Sequence, residues 1–204
     1  MITTYPLLTL LDIASLSVFA ASGALAAARK RMDFVGASFF ALITATGGGT
    51  LRDILIGAPI FWMQDATTVI LCIVVAIAVW AIPLRHWPDR ALSWFDGAGL
   101  AAFSVYGAGK ALAFGIPSIP AVAAGVITAC VGGIIRDITG GVPSVLLQRE
   151  LYVTASILAA SAFVVLTTFA VPAPVAAGMG FSSGLALRGA AIKWQIALPS
   201  HRGK

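Results

Sequence analysis

Two stretches of the chain, Thr46-Gly47-Gly48-Gly49-Thr50-Leu51-Arg52-Asp53 and Cys130-Val131-Gly132-Gly133-Ile134-Ile135-Arg136-Asp137, each close an apolar run, and the step from Asp53 to Asp137 is 84 residues. The same step, without a gap, aligns Asp12 with Asp96, Phe19 with Phe103, Gly23 with Gly107 and Thr44 with Thr128. It also aligns Gly57 with Gly141, Pro59 with Pro143 and Gln64 with Gln148. Whatever the first half folds into, the second half must fold into again. Glycine costs about 1 kcal/mol relative to alanine inside a helix, and backbone freed within a bilayer is tolerated only against protein or a water-filled cavity. The sequence therefore predicts apolar helices broken at Gly47, Gly48 and Gly49 and at Gly132 and Gly133, beside a polar path, with close helix packing as the alternative use of the same glycines.

That the runs belong in a bilayer follows from composition: 59% of the 204 residues are hydrophobic and 10% charged, with a mean hydropathy of +0.98, outside the range of a soluble domain. Seven apolar spans approach the roughly 20 residues that cross a bilayer core: about 7–28, 35–53, 66–84, 94–114, a fifth after Pro117 and Pro120, 151–171, and a seventh after Pro172 and Pro174. The third carries no charge and reads as scaffold, and the seventh is the shortest. No segment remains for a separate soluble domain, so residues 1–204 are expected to form a single membrane domain. The net charge of +5 is scattered between spans and forms no basic domain for nucleic acid. Cys72 and Cys130 lie within apolar runs, which argues against a disulfide framework or a metal site. The N-terminus lacks the cationic region and cleavage site of a secretory signal, so the first span is expected to be retained.

Each repeat, about 7–84 and about 92–171, holds three crossings. An odd number sets the second upside down relative to the first, and the seventh helix, about 172–190, comes after both. Alternate loops test this layout. One side receives Arg29, Lys30, Arg31, Arg85, Arg90, Arg136, Arg149, Arg188, Lys193, Arg202 and Lys204, and the other only Arg52 and Lys110. The positive-inside rule then puts the N-terminus outside and the C-terminus in the cytoplasm of an inner membrane. Trp62, in the loop after the first motif, suits an interfacial anchor.

Inverted repeats with interrupted helices place their site near the midplane. Gly47 lies roughly 18 Å along its span from Val35, slightly past the middle of a core about 30 Å thick. Freed carbonyls there would replace part of a cation's hydration shell, with hydroxyls from Thr44, Thr46, Thr50 and Thr128. Asp12, Asp96 and Lys110 are ionisable residues inside spans, which usually face a cavity or a partner. Lys110 can counter Asp12 or Asp96, repel cations or act as a gate, and Tyr106 stands one turn before it. Arg52 and Arg136 can snorkel to an interface or pair with Asp53 and Asp137. Gly180 and Gly184 read as packing of the seventh helix. An intramembrane enzyme lacks its parts: there is no H-E-x-x-H or G-x-S-x-G, and His86 and His201 fall in a loop and the tail.

Seven crossings as three, three inverted and one, with glycine-rich stretches in helices two and five followed by Arg-Asp, resemble the prokaryotic trimeric intracellular cation (TRIC) channels. The resemblance covers nearly the whole chain. It implies an all-α membrane protein without cofactor, forming a homotrimer in which each subunit conducts monovalent cations, chiefly potassium, through its own pore among membrane lipids. The pore glycines would be Gly47, Gly48, Gly49, Gly132 and Gly133, with Val131 standing where the first motif has Gly47. The same bacterial repeat is also described as glycine-transporter-like, which leaves a carrier of a small zwitterion open beside the channel. The lysine-containing signature of the animal members is absent, so lipid regulation through it does not carry over.

Overall fold

A computed structural model describes residues 6–145 and 150–197. Gln148, Arg149, His201, Arg202 and Lys204 lie outside the described residues, as does the N-terminal segment 1–5. Among the described residues the α-helices are α1 (Pro6–Arg29), α2 (Phe34–Leu55), α3 (Thr67–Ala81), α4 (Ala91–Ala113), α5 (Ser118–Thr139), α6 (Val153–Thr168) and α7 (Ala173–Trp194). At about 1.5 Å per residue, the 22 residues of each of α2, α5 and α7 span about 33 Å, enough to cross a bilayer. The apolar α3 and α6 are shorter, at 15 and 16 residues.

Packing repeats as the sequence does. α1 lies on α2 and α3, α4 lies on α5 and α6, and the halves meet where α2 crosses α5 and α1 crosses α4. α7 covers α6 and α4. This makes α4 the innermost helix, buried along most of its length, which is why it can hold Asp96, Ser104, Tyr106 and Lys110 away from lipid. α3 is the converse: Ile70, Val74, Ile77 and Trp80 are exposed, as expected of a scaffold facing hydrocarbon.

The seventh helix is not the shortest, contrary to the sequence-based expectation, and runs on to Trp194. Its glycines and its charges Arg188 and Lys193 dilute its hydropathy without shortening it. Gly180 lies against the Ala159 carbonyl and Gly184 against the Ala159 methyl group, so these two glycines do pack α7 onto α6.

The C-terminal ends of α2 and α5 are built alike. Both close through a left-handed glycine, Gly57 (φ 67°) and Gly141 (φ 62°), a conformation that costs glycine nothing. The Ala58 N–H donates to the Asp53 carbonyl and the Val142 N–H to that of Asp137. The chain thereby folds back over the last turn of its helix.

Candidate functional site

The glycine motifs do not break their helices. α2 is helical from 34 to 55 and α5 from 118 to 139, through every residue of both motifs. The missing side chains are used for approach instead. A Cβ on Gly48 would enter the Thr128 carbonyl, and one on Gly132 would enter that of Thr44. Gly23 is pressed in the same way against the Phe40 carbonyl, and Gly107 against the Thr128 side chain. Gly47 meets the Ile135 side chain, Gly49 the Phe61 ring, and Gly133 the Tyr152 hydroxyl and Asp96. Keeping the helix avoids freeing backbone in hydrocarbon, and close crossing gains packing.

Carbonyls and hydroxyls at the crossing are correspondingly occupied. Thr44 and Thr128 are buried, and their hydroxyls donate to the Phe40 and Ala124 carbonyls one turn back, each over 2.6 Å. Thr46 and Thr50 do the same to Leu42 and Thr46. The Trp62 indole N–H donates to the Thr50 hydroxyl at 2.8 Å, which ties the loop after α2 to the last turns of that helix.

Charge is gathered at the two opposite ends of this four-helix core. At the C-terminal end of α2, Arg52 lays Nε and Nη2 on Asp53 Oδ1 at 2.9 and 2.8 Å. Lys110 Nζ reaches the same oxygen at 2.7 Å, and Oδ2 accepts the Phe61 N–H at 3.0 Å. The Arg52 guanidinium also lies over the Tyr106 ring, 5.3 Å from its centroid, and Asp12 is an electrostatic neighbour of Arg52, Tyr106 and Lys110. Arg52 and Asp53 are at most 1% exposed, so neither snorkels.

At the C-terminal end of α5 the arrangement returns. Arg136 Nε and Nη2 hold Asp137 Oδ1 at 2.9 and 2.8 Å, and Asp137 Oδ2 accepts the Val145 N–H at 3.0 Å. The third nitrogen, Nη1, reaches Asp96 Oδ1 at 2.6 Å and Ser22 Oγ. The 84-residue step carries Phe61 onto Val145 and Tyr106 onto Ser22 as well as Arg52-Asp53 onto Arg136-Asp137. In each cluster the repeat's own helix supplies the Arg-Asp pair, and α1 and α4 together supply its neighbours.

Two differences separate the ends. Lys110 corresponds to Ala26, so the first cluster has two cations against Asp12 and Asp53, and the second has Arg136 against Asp96 and Asp137. The second cluster also opens into a cavity of about 220 Å³ lined by Asp96, Arg136, Asp137, Glu150 and Arg188 among others. Buried Arg188 donates from Nη2 to Glu150 at 2.6 Å, with its guanidinium 5.1 Å from the Tyr152 centroid. Sequence reasoning missed Arg188, Glu150 and Tyr152 as members of a site. Arg188 was legible only as a charge inside the seventh apolar span.

Residues 9–83 and 93–168 match one family model, described as "Glycine transporter". The UPF0126 inner membrane protein YadS of Escherichia coli K12 is 38% identical, covering 93% of this chain and 94% of that one. A UPF0126 membrane protein of Deinococcus radiodurans is 37% identical over 99% and 97%. Among solved structures, the TRIC trimeric intracellular cation channel orthologue of Rhodobacter sphaeroides superposes with a TM-score of 0.90 at 40% identity, covering 94% of this chain and all of that one. A prokaryotic TRIC channel crystallised in 0.5 M KCl gives 0.86 at 26% identity, over 96% and 100%.

Proposed function

The chain belongs to the family that the glycine-transporter model and the TRIC channels represent, and from that membership we propose a monovalent cation channel, conducting chiefly potassium, with one path in each subunit of a homotrimer. The observation that carries the reading is the pair of buried clusters, Arg52-Asp53 and Arg136-Asp137, at opposite ends of one four-helix core. Buried charge inside a membrane protein is expensive and usually marks a route for ions. The inverted duplication places such a cluster at each end of the same bundle, and a path through the bundle would use both.

The path runs from Asp12, Asp53 and Lys110, past the crossing of α2 and α5 at Thr44, Gly48, Thr128 and Gly132, to Asp96 and Asp137. Its tightest point is the crossing, where backbone meets backbone, so conduction requires α2 and α5 to part there. Thr46, Thr50 and the flanking glycines line the widened segment. The N-terminus lies outside and the C-terminus in the cytoplasm of the inner membrane. Lysine and arginine in the described loops support that orientation: the end bearing Arg29, Lys30, Arg31, Arg85 and Arg90 also holds the cluster of Arg136. Three crossings, their inverted copies and a seventh helix make up the whole, a single membrane domain set among lipids.

Potassium current through the purified protein in a planar bilayer tests the proposal. Discrete single-channel steps are expected, and Lys110→Met is expected to enlarge them. Lys110 is a fixed positive charge on the route, and at an effective dielectric constant of about 20 a unit charge about 4 Å away opposes a cation by about 4 kcal/mol. If a quarter of that is felt at the barrier, conductance rises about fivefold. A silent bilayer, or steps unchanged or reduced in Lys110→Met, would sink this path.

A further inference from the structure

α4 begins and α7 ends on the same side of the bundle, where Arg90 Nη1 donates to the Ile192 carbonyl at 3.0 Å. After Trp194 the chain turns back through Gln195 (φ 52°), and Ala197 pairs with Glu150 in an antiparallel bridge. The turn encloses a cavity of about 370 Å³ lined by Arg90, Ser93, Glu150, Ile192, Gln195 and Ile196 among others. Its charged groups are open to what surrounds the protein: Arg90 is exposed and the Glu150 side chain is 43% exposed. Among the described residues Arg90 engages only Nη1, and Glu150 gives only Oε2, to Arg188. The surface beside the cavity is aromatic. The Trp94 ring lies on Gly189 of α7, and Trp94 and Trp194 are 45% and 66% exposed, as tryptophans at the level of lipid headgroups are.

The charge of the cavity is mixed. Arg90 offers guanidinium donors, and Glu150 and the carbonyl end of α7, at Ala191 and Ile192, offer acceptors. A headgroup bearing only negative charge meets Arg90 but sets its phosphate beside the Glu150 carboxylate. A quaternary ammonium balances that carboxylate without an N–H to donate, whereas a primary ammonium has three. We propose that this cavity seats the headgroup of phosphatidylethanolamine, its phosphate on Arg90 and the Ser93 hydroxyl, its ammonium on Glu150 and the carbonyl end of α7. The acyl chains leave past Trp94 and Trp194 into the hydrocarbon. A liquid-water share of about 30 Å³ per molecule puts the cavity at about twelve waters, room for a phosphoethanolamine group. Arg90 and α7 both lie outside the residues that the family model matches, so the site is not a property of the duplicated unit. The lipid ties the end of α7 to the start of α4 and to the segment before α6, and the inference does not rest on the route of any ion.

Native mass spectrometry of the delipidated full-length protein, given an equimolar mixture of phosphatidylethanolamine, phosphatidylglycerol and phosphatidylcholine of identical acyl chains, tests this. One phosphatidylethanolamine per subunit is expected to be retained, at least about tenfold in preference to either other lipid, the yield of a hydrogen bond to a charged group. Arg90→Gln is expected to weaken retention at least about tenfold. Because Arg90 also holds the Ile192 carbonyl, Ile196→Glu provides a second variant. Ile196 lies beyond the end of α7, is 42% exposed and lines the cavity, so a carboxylate there repels the phosphate without disturbing a helix or an ion pair. It should abolish retention with the unfolding temperature kept, and Ile196→Leu should retain the lipid as the unaltered protein does. No lipid retained, phosphatidylglycerol or phosphatidylcholine retained as well as phosphatidylethanolamine, or retention unaltered in both Arg90→Gln and Ile196→Glu would each overturn the site.

Discussion

Replacing Gly48 or Gly132 with alanine destabilises the folded protein by about 2–3 kcal/mol, seen as a lowered unfolding midpoint in detergent micelles. Alanine is the better helix former by about 1 kcal/mol, so propensity alone predicts the opposite sign. The clash wins because of what the new methyl meets. At Gly48 it is the Thr128 carbonyl and at Gly132 the Thr44 carbonyl, both main-chain atoms of helices that cannot swing aside as a side chain would. Relief requires α2 and α5 to separate along their contact, and overpacking of that kind costs about 1–3 kcal/mol or more. Gly178→Ala is the control. Nothing lies within 4 Å of a Cβ there, so that variant should be neutral or more stable by up to about 1 kcal/mol. Should Gly48→Ala unfold where Gly178→Ala does, the close crossing is wrong.

Asp53→Asn carries the other large effect. Asp53 is fully buried and accepts from Arg52, Lys110 and the Phe61 N–H. Neutralising it leaves two buried cations facing each other with Asp12 as their remaining carboxylate. Removing one partner of a buried ion pair costs about 3–5 kcal/mol, chiefly through the charge left uncompensated. Adding Lys110→Met to Asp53→Asn should therefore return part of the loss, because Arg52 then has Asp12 to itself. A double-mutant cycle on unfolding free energy measures this. Strict additivity of the two substitutions would mean that Lys110 does not share the oxygen of Asp53.

The repeat was fully legible because a gapless step of 84 residues preserves which residue faces which. It matched Asp12 to Asp96 and one Arg-Asp pair to the other before any geometry was known, and an odd number of spans made the second copy inverted. The glycines were not legible in the same way. A glycine run reads alike whether the helix opens or a neighbour leans in, and only the Thr128 and Thr44 carbonyls, far away in the sequence, decide between the two. Lys110 was recognisable as a buried ion, yet its partner Asp53 rather than Asp12 or Asp96 depends on how α4 lies beside the end of α2. The Phe61 and Val145 N–H groups were invisible for a different reason: a main-chain donor has no letter in a sequence. Arg188 went unassigned because α7 has no counterpart in the repeat against which to compare it.

The substitution of Lys110 for the position that Ala26 occupies in the first repeat has an electrical meaning. An inverted duplication with identical halves would present the same face to both compartments, and its current would be the same for equal voltages of either sign. One lysine on one side removes that equivalence. On the proposed path a cation entering past Lys110 would meet that charge at the start of the route and one entering past Asp96 would meet it at the end, so unequal currents at opposite voltages are the expected result, and Lys110→Met should bring them closer together.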